Sequence, residues 1–382
     1  MKYLTNLEVC KDCMRLSFGL RSLILPLLAL VVLMNWGLLA LSQHRANPEV
    51  PIVGLINPQA TVFNAVTGKV YTVDQDAGEI LISNDAANST IRVKVGVGPV
   101  SVAVDSQNGR AYVANADGGT VSVIDGRTDI VLATVQVGSH PYSIACDSVG
   151  QRVYVSRTYS DHLMVIDEAT NQVTSIKTGS ADLIAVDPRT ETTYLLGYEG
   201  GDLAVLNGTT HSLSTNSVGM HAWGIALNPA TGVIYIAKPG DAEVAVLASA
   251  SAAPTMIPTG VISCAVAINA RTNTVFVVNY GDNSVTVIDG AKGRAIGRVP
   301  VGKRPQAIVV DSDNNLAYVA NTQENSVTVI DGANNTVLAT LDAGKAPYAL
   351  AINPSAGRLH VANLDKNSFT IIDVSKIRQP QN

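Results

Sequence analysis

The sequence predicts an all-β fold, a β-propeller of eight four-stranded blades with seven blades as the alternative, and three observations carry that prediction. The stretch SVTVIDG stands at residues 284–290 and again at 326–332, with TVSVIDG at 120–126. An aromatic residue or His recurs at Tyr71, Tyr112, Tyr154, Tyr194, Tyr235, Phe276, Tyr318 and His360, at spacings of 41, 42, 40, 41, 41, 42 and 42 residues. Within one period, such as residues 99–138, short alternating runs are separated by DSQNG, NADGG and DGRTD, clusters of the Asp, Asn and Gly that make turns. Four strands per unit at a period near 41 residues is the arithmetic of a propeller blade.

Composition agrees. Apolar residues make up 47% of the 382, charged residues 15% and aromatics 5%, the balance of a chain rich in Val, Ala and Ile that buries much of itself. The formal net charge of −5 gives no ground for a nucleic-acid partner, which would favour a basic protein.

The elements run in chain order. Residues 1–22 read as a cytoplasmic segment, with Lys2, Lys11, Arg15 and Arg21 leading the uncharged run LILPLLALVVLMNWGLLAL at 23–41. Nineteen such residues reach across a hydrocarbon core of roughly 30 Å, and basic residues ahead of them keep the N-terminus inside and export the remainder of the chain. Residues 23–42 are therefore a transmembrane signal anchor or a cleaved signal peptide, with Ala40 and Ser42 as the small residues of a cleavage site. Cys10 and Cys13 form a lone CxxC, read as incidental thiols, and Cys146 and Cys264 fall in different repeats, too far apart to suggest a disulfide.

The propeller is expected over residues 48–376, with 377–382 as a tail. No helical period interrupts it after residue 46. The eighth copy supplies YALAIN, RLHVAN and SFTIID and then lacks a fourth strand, whereas VPIVGLINPQA at 50–60 resembles VPVGKRPQA at 299–307, the fourth strand and turn that precede a copy. The N-terminal strand is expected to complete the last blade, so that no sheet edge stays unpaired.

The YVAN stretches at 112–115 and 318–321, each followed by a VIDG strand, resemble the YVTN-repeat β-propeller family over roughly residues 50–375. The resemblance implies an exported propeller. It leaves the role open, because related propellers include surface-layer components, redox-enzyme subunits and lactonase-like enzymes. Copies four and five depart from the pattern, with YLLG from Tyr194 and YIAK from Tyr235.

Candidate functional residues lie where the copies differ at an equivalent place. The residue after the recurrent Pro, at the channel mouth, is Gln59, Val100, Tyr142, Asp182, Trp223, Cys264, Gln306 and Tyr348 in turn. Two places earlier stand Asn57, Gly98, His140, Ser180, His221, Ile262, Arg304 and Ala346. The end of the second strand, expected at the same mouth, reads Asp74, Asn115, Arg157, Gly197, Lys238, Asn279, Asn321 and Asn363. From these rings the ligand-binding candidates are Tyr142, Arg157, Trp223, Lys238, His140, His221, Arg304, Tyr348 and Asp182. The first 46 residues hold five of the 26 basic and two of the 31 acidic side chains, which leaves the exported part at −8 around a mouth where Lys303 and Lys345 join the basic candidates. An anionic, partly apolar ligand or an acidic segment of a partner protein fits that arrangement.

Asp-rich turns here are read as turn chemistry, since no calcium loop with a distal Glu is written, and phosphate-loop, zinc-protease and GxSxG signatures are absent from the sequence. No cofactor or metal is expected, and the propeller is expected to be a monomer. Two function classes remain. The favoured one is a non-enzymatic binding scaffold, membrane-anchored on the periplasmic or extracellular side or secreted after cleavage. The alternative is an enzyme of lactonase or lyase type, with Asp182 and His140 or His221 as acid/base pair or metal ligands.

Overall fold

The structure is a computed structural model, and the description covers residues 49–53, 58–197, 200–364 and 368–377. The expectations for residues 1–48, the anchor or signal helix among them, lie outside the described residues. Among the described residues no helix is long and apolar enough to cross a membrane.

The chain forms eight four-stranded antiparallel sheets. Seven use four consecutive strands each: blade 1 (58–94), blade 2 (99–136), blade 3 (141–177), blade 4 (183–217), blade 5 (224–258), blade 6 (263–300) and blade 7 (305–342). Blade 8 holds Pro347–Asn353, Arg358–Asn363 and Ser368–Asp373 as its inner strands. The all-β fold and the eight-blade count agree with the sequence, and the seven-blade alternative falls.

Burial divides each blade by strand. The second and third strands are nearly closed to solvent, as in Ala111–Asn115 and Thr120–Asp125, because both of their faces pack on neighbouring blades. The outermost strand alternates, as Ile130–Gln136 does, with one face toward water. The cores lie between blades rather than within them. Tyr71, Ile80 and Ile82 of blade 1 pack with Val102, Ala111 and Ile124 of blade 2, and the pattern repeats around the ring to Leu359, Val361 and Ile372 of blade 8 against Tyr318, Val327 and Val329 of blade 7.

The repeated heptapeptide is now explained residue by residue. Its first and third hydroxyls receive the amide of the Asn that ends the preceding strand: Asn279 Nδ2 donates to Ser284 Oγ at 2.9 Å and Thr286 Oγ1 at 3.0 Å, and Asn321 Nδ2 to Ser326 Oγ at 3.1 Å and Thr328 Oγ1 at 2.8 Å. Asn115 and Asn363 do the same to Thr120 with Ser122 and to Ser368 with Thr370. Val and Ile fill the seams. The Asp closes an Asx turn, as where Asp289 Oδ1 accepts the amides of Ala291 and Lys292, each at 3.0 Å. The Gly makes a close approach: Gly290 N–H donates to Asn273 O at 2.9 Å, and a Cβ there would stand 2.7 Å from that carbonyl oxygen.

Candidate functional site

One face of the ring carries the loops that join each blade to the next and the turns between second and third strands. The residue after the recurrent Pro opens the inner strand at this face, and its backbone is distinctive. Register shifts interrupt the pairing of the inner strand between Pro99 and Ser101, Pro141 and Ile144, Ser263 and Ala265, Pro305 and Ala307, and Pro347 and Ala349. Val100, Tyr142, Cys264, Gln306 and Tyr348 thus sit in β-bulges, which free one residue from the ladder and re-aim its side chain. Blades 4 and 5 differ: Asp182 and Trp223 stand just ahead of the paired strands and donate their backbone N–H to Leu196 O and Ala237 O. Tyr142 is 42% exposed, and its phenol is pushed up by partial burial first and by the charge of Asp182 second.

The ring two places earlier is built on left-handed backbone. His140, His221, Ile262, Arg304 and Ala346 have φ of 52°, 63°, 56°, 54° and 53°. Their side chains fan over the face. The Arg304 guanidinium lies over the Tyr280 ring, 4.7 Å from its centre, a cation–π arrangement that holds the charge beside the mouth. His140 borders a shallow recess with Asp117, Gln136, Gly138 and Ser139. Among the described residues no three His, Cys, Asp or Glu side chains gather as a metal site would need.

The third ring departs from the expectation that it opens on the mouth. Asn115, Asn279, Asn321 and Asn363 are fully buried, because their side chains tie strand to strand as described above. Arg157 and Lys238 occupy the same niche in blades 3 and 5. Lys238 is 5% exposed, with Nζ 2.6 Å from the Asp241 carboxylate, and Arg157 Nη2 donates to Ser160 Oγ at 2.9 Å. Where Asn321 lies against Gly302, Arg157 lies against Gly138 and Lys238 against Gly219. Both cations therefore serve their own blades' turns, Lys238 buried there and Arg157 half-buried. Asp74 is held by the amide of Ala77 at 3.3 Å and by Arg92 Nη1, also at 3.3 Å. Gly197 leaves the niche of blade 4 without a side chain.

Sequence reasoning passed over Tyr280, the platform for Arg304, and a set of exposed apolar residues on the same loops: Val97, Met220 and Val261, each just after the Gly that opens a loop, and the fully exposed Tyr159. The repeated Gly marks those three positions. Lys303 and Lys345 hold the equivalent place in blades 7 and 8 and are exposed, so the loops are apolar on one part of the ring and basic on another.

Solved structures with the same architecture span different chemistries. The chain superposes on Kuenenia stuttgartiensis hydrazine synthase with a TM-score of 0.59 at 16% identity, covering 88% of this chain and 99% of that one. It superposes on Saccharomyces cerevisiae Sqt1 with a TM-score of 0.73 at 9% identity, over 86% and 99% of the two chains. The dihydro-heme d1 dehydrogenase NirN gives a TM-score of 0.68 at 14% identity, over 88% and 74%. At these identities the likeness is one of fold. No curated protein sequence matches the chain. Residues 241–377, the latter half of blade 5 with blades 6 to 8, match the family model of the YNCE-like β-propeller, and the eight-bladed ring around them is consistent with a YVTN-type repeat propeller.

Proposed function

We propose that the protein is a binding scaffold whose loop face around the channel mouth takes an anionic, partly apolar ligand. The observation that carries this reading is the bulged inner strand. A frame repeated eight times presents one variable residue per blade, and Tyr142 is offered to solvent where the fold has no need of an exposed aromatic. The positive charge that supports an anion comes from Arg304 over Tyr280 and from the exposed Lys303 and Lys345. Anilinonaphthalene sulfonate, an apolar anion, serves as the probe in a fluorescence titration. Tyr142→Ala and Arg304→Gln are each expected to weaken its binding about three- to tenfold, and added salt to weaken it in the wild type. Equal affinity in all three proteins together with no effect of salt would remove the mouth as the site.

The same reading sets the propeller on the exported side of a membrane, supported by the uncharged run at 23–41 behind its basic leader. The full-length chain is expected to stay with membranes through a carbonate wash; release of a soluble species beginning near Gln43 would show cleavage instead. It also gives the strand Glu49–Val53 the role of a clasp on blade 8. The supporting register is antiparallel to Ser368–Asp373, with Ile52 opposite Phe369 and Val53 opposite Ser368.

A further inference from the structure

The seam between blades 2 and 3 sets two carboxyl groups face to face. Glu168 stands in the turn position that Gly126, Gly208, Gly290 and Gly332 hold in other blades. Its backbone N–H makes the same tie, to Gln151 O at 3.1 Å, and its side chain enters the seam, where the residue is 3% exposed. Asn108 Nδ2 donates to Glu168 Oε2 at 2.9 Å, while Arg110 Nη1 donates at 2.9 Å to the Glu168 backbone carbonyl rather than to the carboxyl group. On the blade 2 side Asp105 is 1% exposed, and its Oδ1 accepts the amides of Gln107 at 2.6 Å and Asn108 at 2.8 Å. Asp105 Oδ2 and Glu168 Oε1 remain, both buried and without a hydrogen-bond partner, and Asn108 links the two groups, its backbone N–H on Asp105 and its side-chain amide on Glu168.

Two ionised carboxylates in that seam would repel, and the buried Tyr112 hydroxyl beside Glu168 answers at most one of the two oxygens. One proton between them removes the repulsion and pairs both atoms. We propose that Glu168 is protonated in the folded ring and donates to Asp105 across this seam, which makes the joint between blades 2 and 3 a pH-sensitive latch that loosens as Glu168 ionises.

The surroundings fit. Blade 2 contributes Asp105, Arg110 and the buried Tyr112, whose phenol is pushed up by burial and then by the Glu168 charge. Blade 3 contributes Cys146, its thiol raised by burial and then by Glu168, and Asp147, raised chiefly by burial. Burial, then the hydrogen bond and charge of Asp105, push the Glu168 carboxyl up to about 7 from an ordinary 4.5. A carboxyl group raised on folding binds more protons in the folded state, so its stabilising effect is complete below the unfolded value and is lost as pH rises through the folded one.

Thermal melts of the wild-type chain and Glu168→Gln from about pH 5.5 to about pH 8.5 test the latch. The wild type is expected to lose about 2–5 °C relative to Glu168→Gln over that range, with the loss under way at the acid end and complete by about pH 8. A protonated-carboxyl C=O band in the infrared spectrum of the wild type should fade over the same interval and be missing from Glu168→Gln. If that variant does not fold, Asp105→Asn keeps the test, because removing the neighbouring charge should move the fading of the band to lower pH. Parallel melting profiles, or no such band, would overturn the proposal. So would a rise in the wild-type melting temperature on adding calcium chloride at the alkaline end that Glu168→Gln lacks, since a cation would then bridge the pair instead of a proton.

Discussion

Replacing His360 with Phe is expected to cost about 2–3 kcal/mol of folding stability, the scale for removing a hydrogen-bond partner from a buried carboxylate. His360 is the residue of blade 8 at the position where other blades carry Tyr or Phe, and it is fully buried. Its Nε2 lies 3.0 Å from Asp85 Oδ2, across the seam to blade 1, and the Asp85 side chain is only 2% exposed. Asn353 Nδ2 gives the same oxygen a second bond at 2.7 Å. Without the imidazole, Asp85 keeps the Asn353 amide and loses its other buried side-chain partner. The double variant His360→Tyr/Asp85→Gly reproduces the seam between blades 1 and 2, where the Tyr71 hydroxyl approaches Gly126 O at 3.5 Å, and is expected to recover most of the loss. A double-mutant cycle by urea unfolding reads the coupling directly; additive single effects below about 1 kcal/mol would show that the pair does not bind the seam. The acid limb has a definite sign. Burial pushes the Asp85 carboxyl up, but the bonds and charges of His360, Asn353 and Arg358 outweigh it and hold the group below its ordinary 3.8. Its contribution is therefore present from about pH 4 upward and is lost as pH falls through the depressed value.

Deleting residues 49–56 is expected to lower the melting temperature by about 5–10 °C. The deletion uncovers the outer edge of Ser368–Asp373 and removes the cover from a strand whose Phe369 packs, fully buried, with Leu81 of blade 1. Blades 8 and 1 meet at that contact, so the cost should exceed that of losing an outer strand elsewhere in the ring. A melting curve unchanged by the deletion would rule out the clasp.

Fold and site were legible to different depths. The blade count was readable because each blade repeats the same seam-filling residues at a fixed period, and the strand entry because Pro marks the point that bulges. The ring of Asn115, Asn279, Asn321 and Asn363 misled, since an Asn that ends a strand looks the same in sequence whether it faces water or caps two hydroxyls. Those hydroxyls were visible in SVTVID five and seven residues on, but only the register of the strands turns that spacing into contact. Arg157 and Lys238 took the place of the Asn in its niche, where a long side chain reaches a nearby Ser or Asp. The acids of the seams were invisible for another reason: Glu168 meets a residue 60 positions away and Asp85 one 275 positions away, and nothing local in the chain announces either meeting.

The left-handed residue before the inner strand of blades 2, 3, 5, 6, 7 and 8 separates two jobs that most positions combine. In blades 2, 3, 6, 7 and 8 its carbonyl accepts a backbone amide from the turn across the sheet, so Gly98, His140, Ile262, Arg304 and Ala346 fasten their loops through atoms that every amino acid owns. The side chain is left out of that task. Evolution, or an engineer, can exchange it without touching the fastening, and the present set already runs from no side chain through methyl, imidazole and guanidinium to a β-branched Ile at φ 56°, where such residues are strained. The loop face is thus a row of interchangeable sockets on a fixed ring. Specificity can drift there one blade at a time while the fold stays under separate selection.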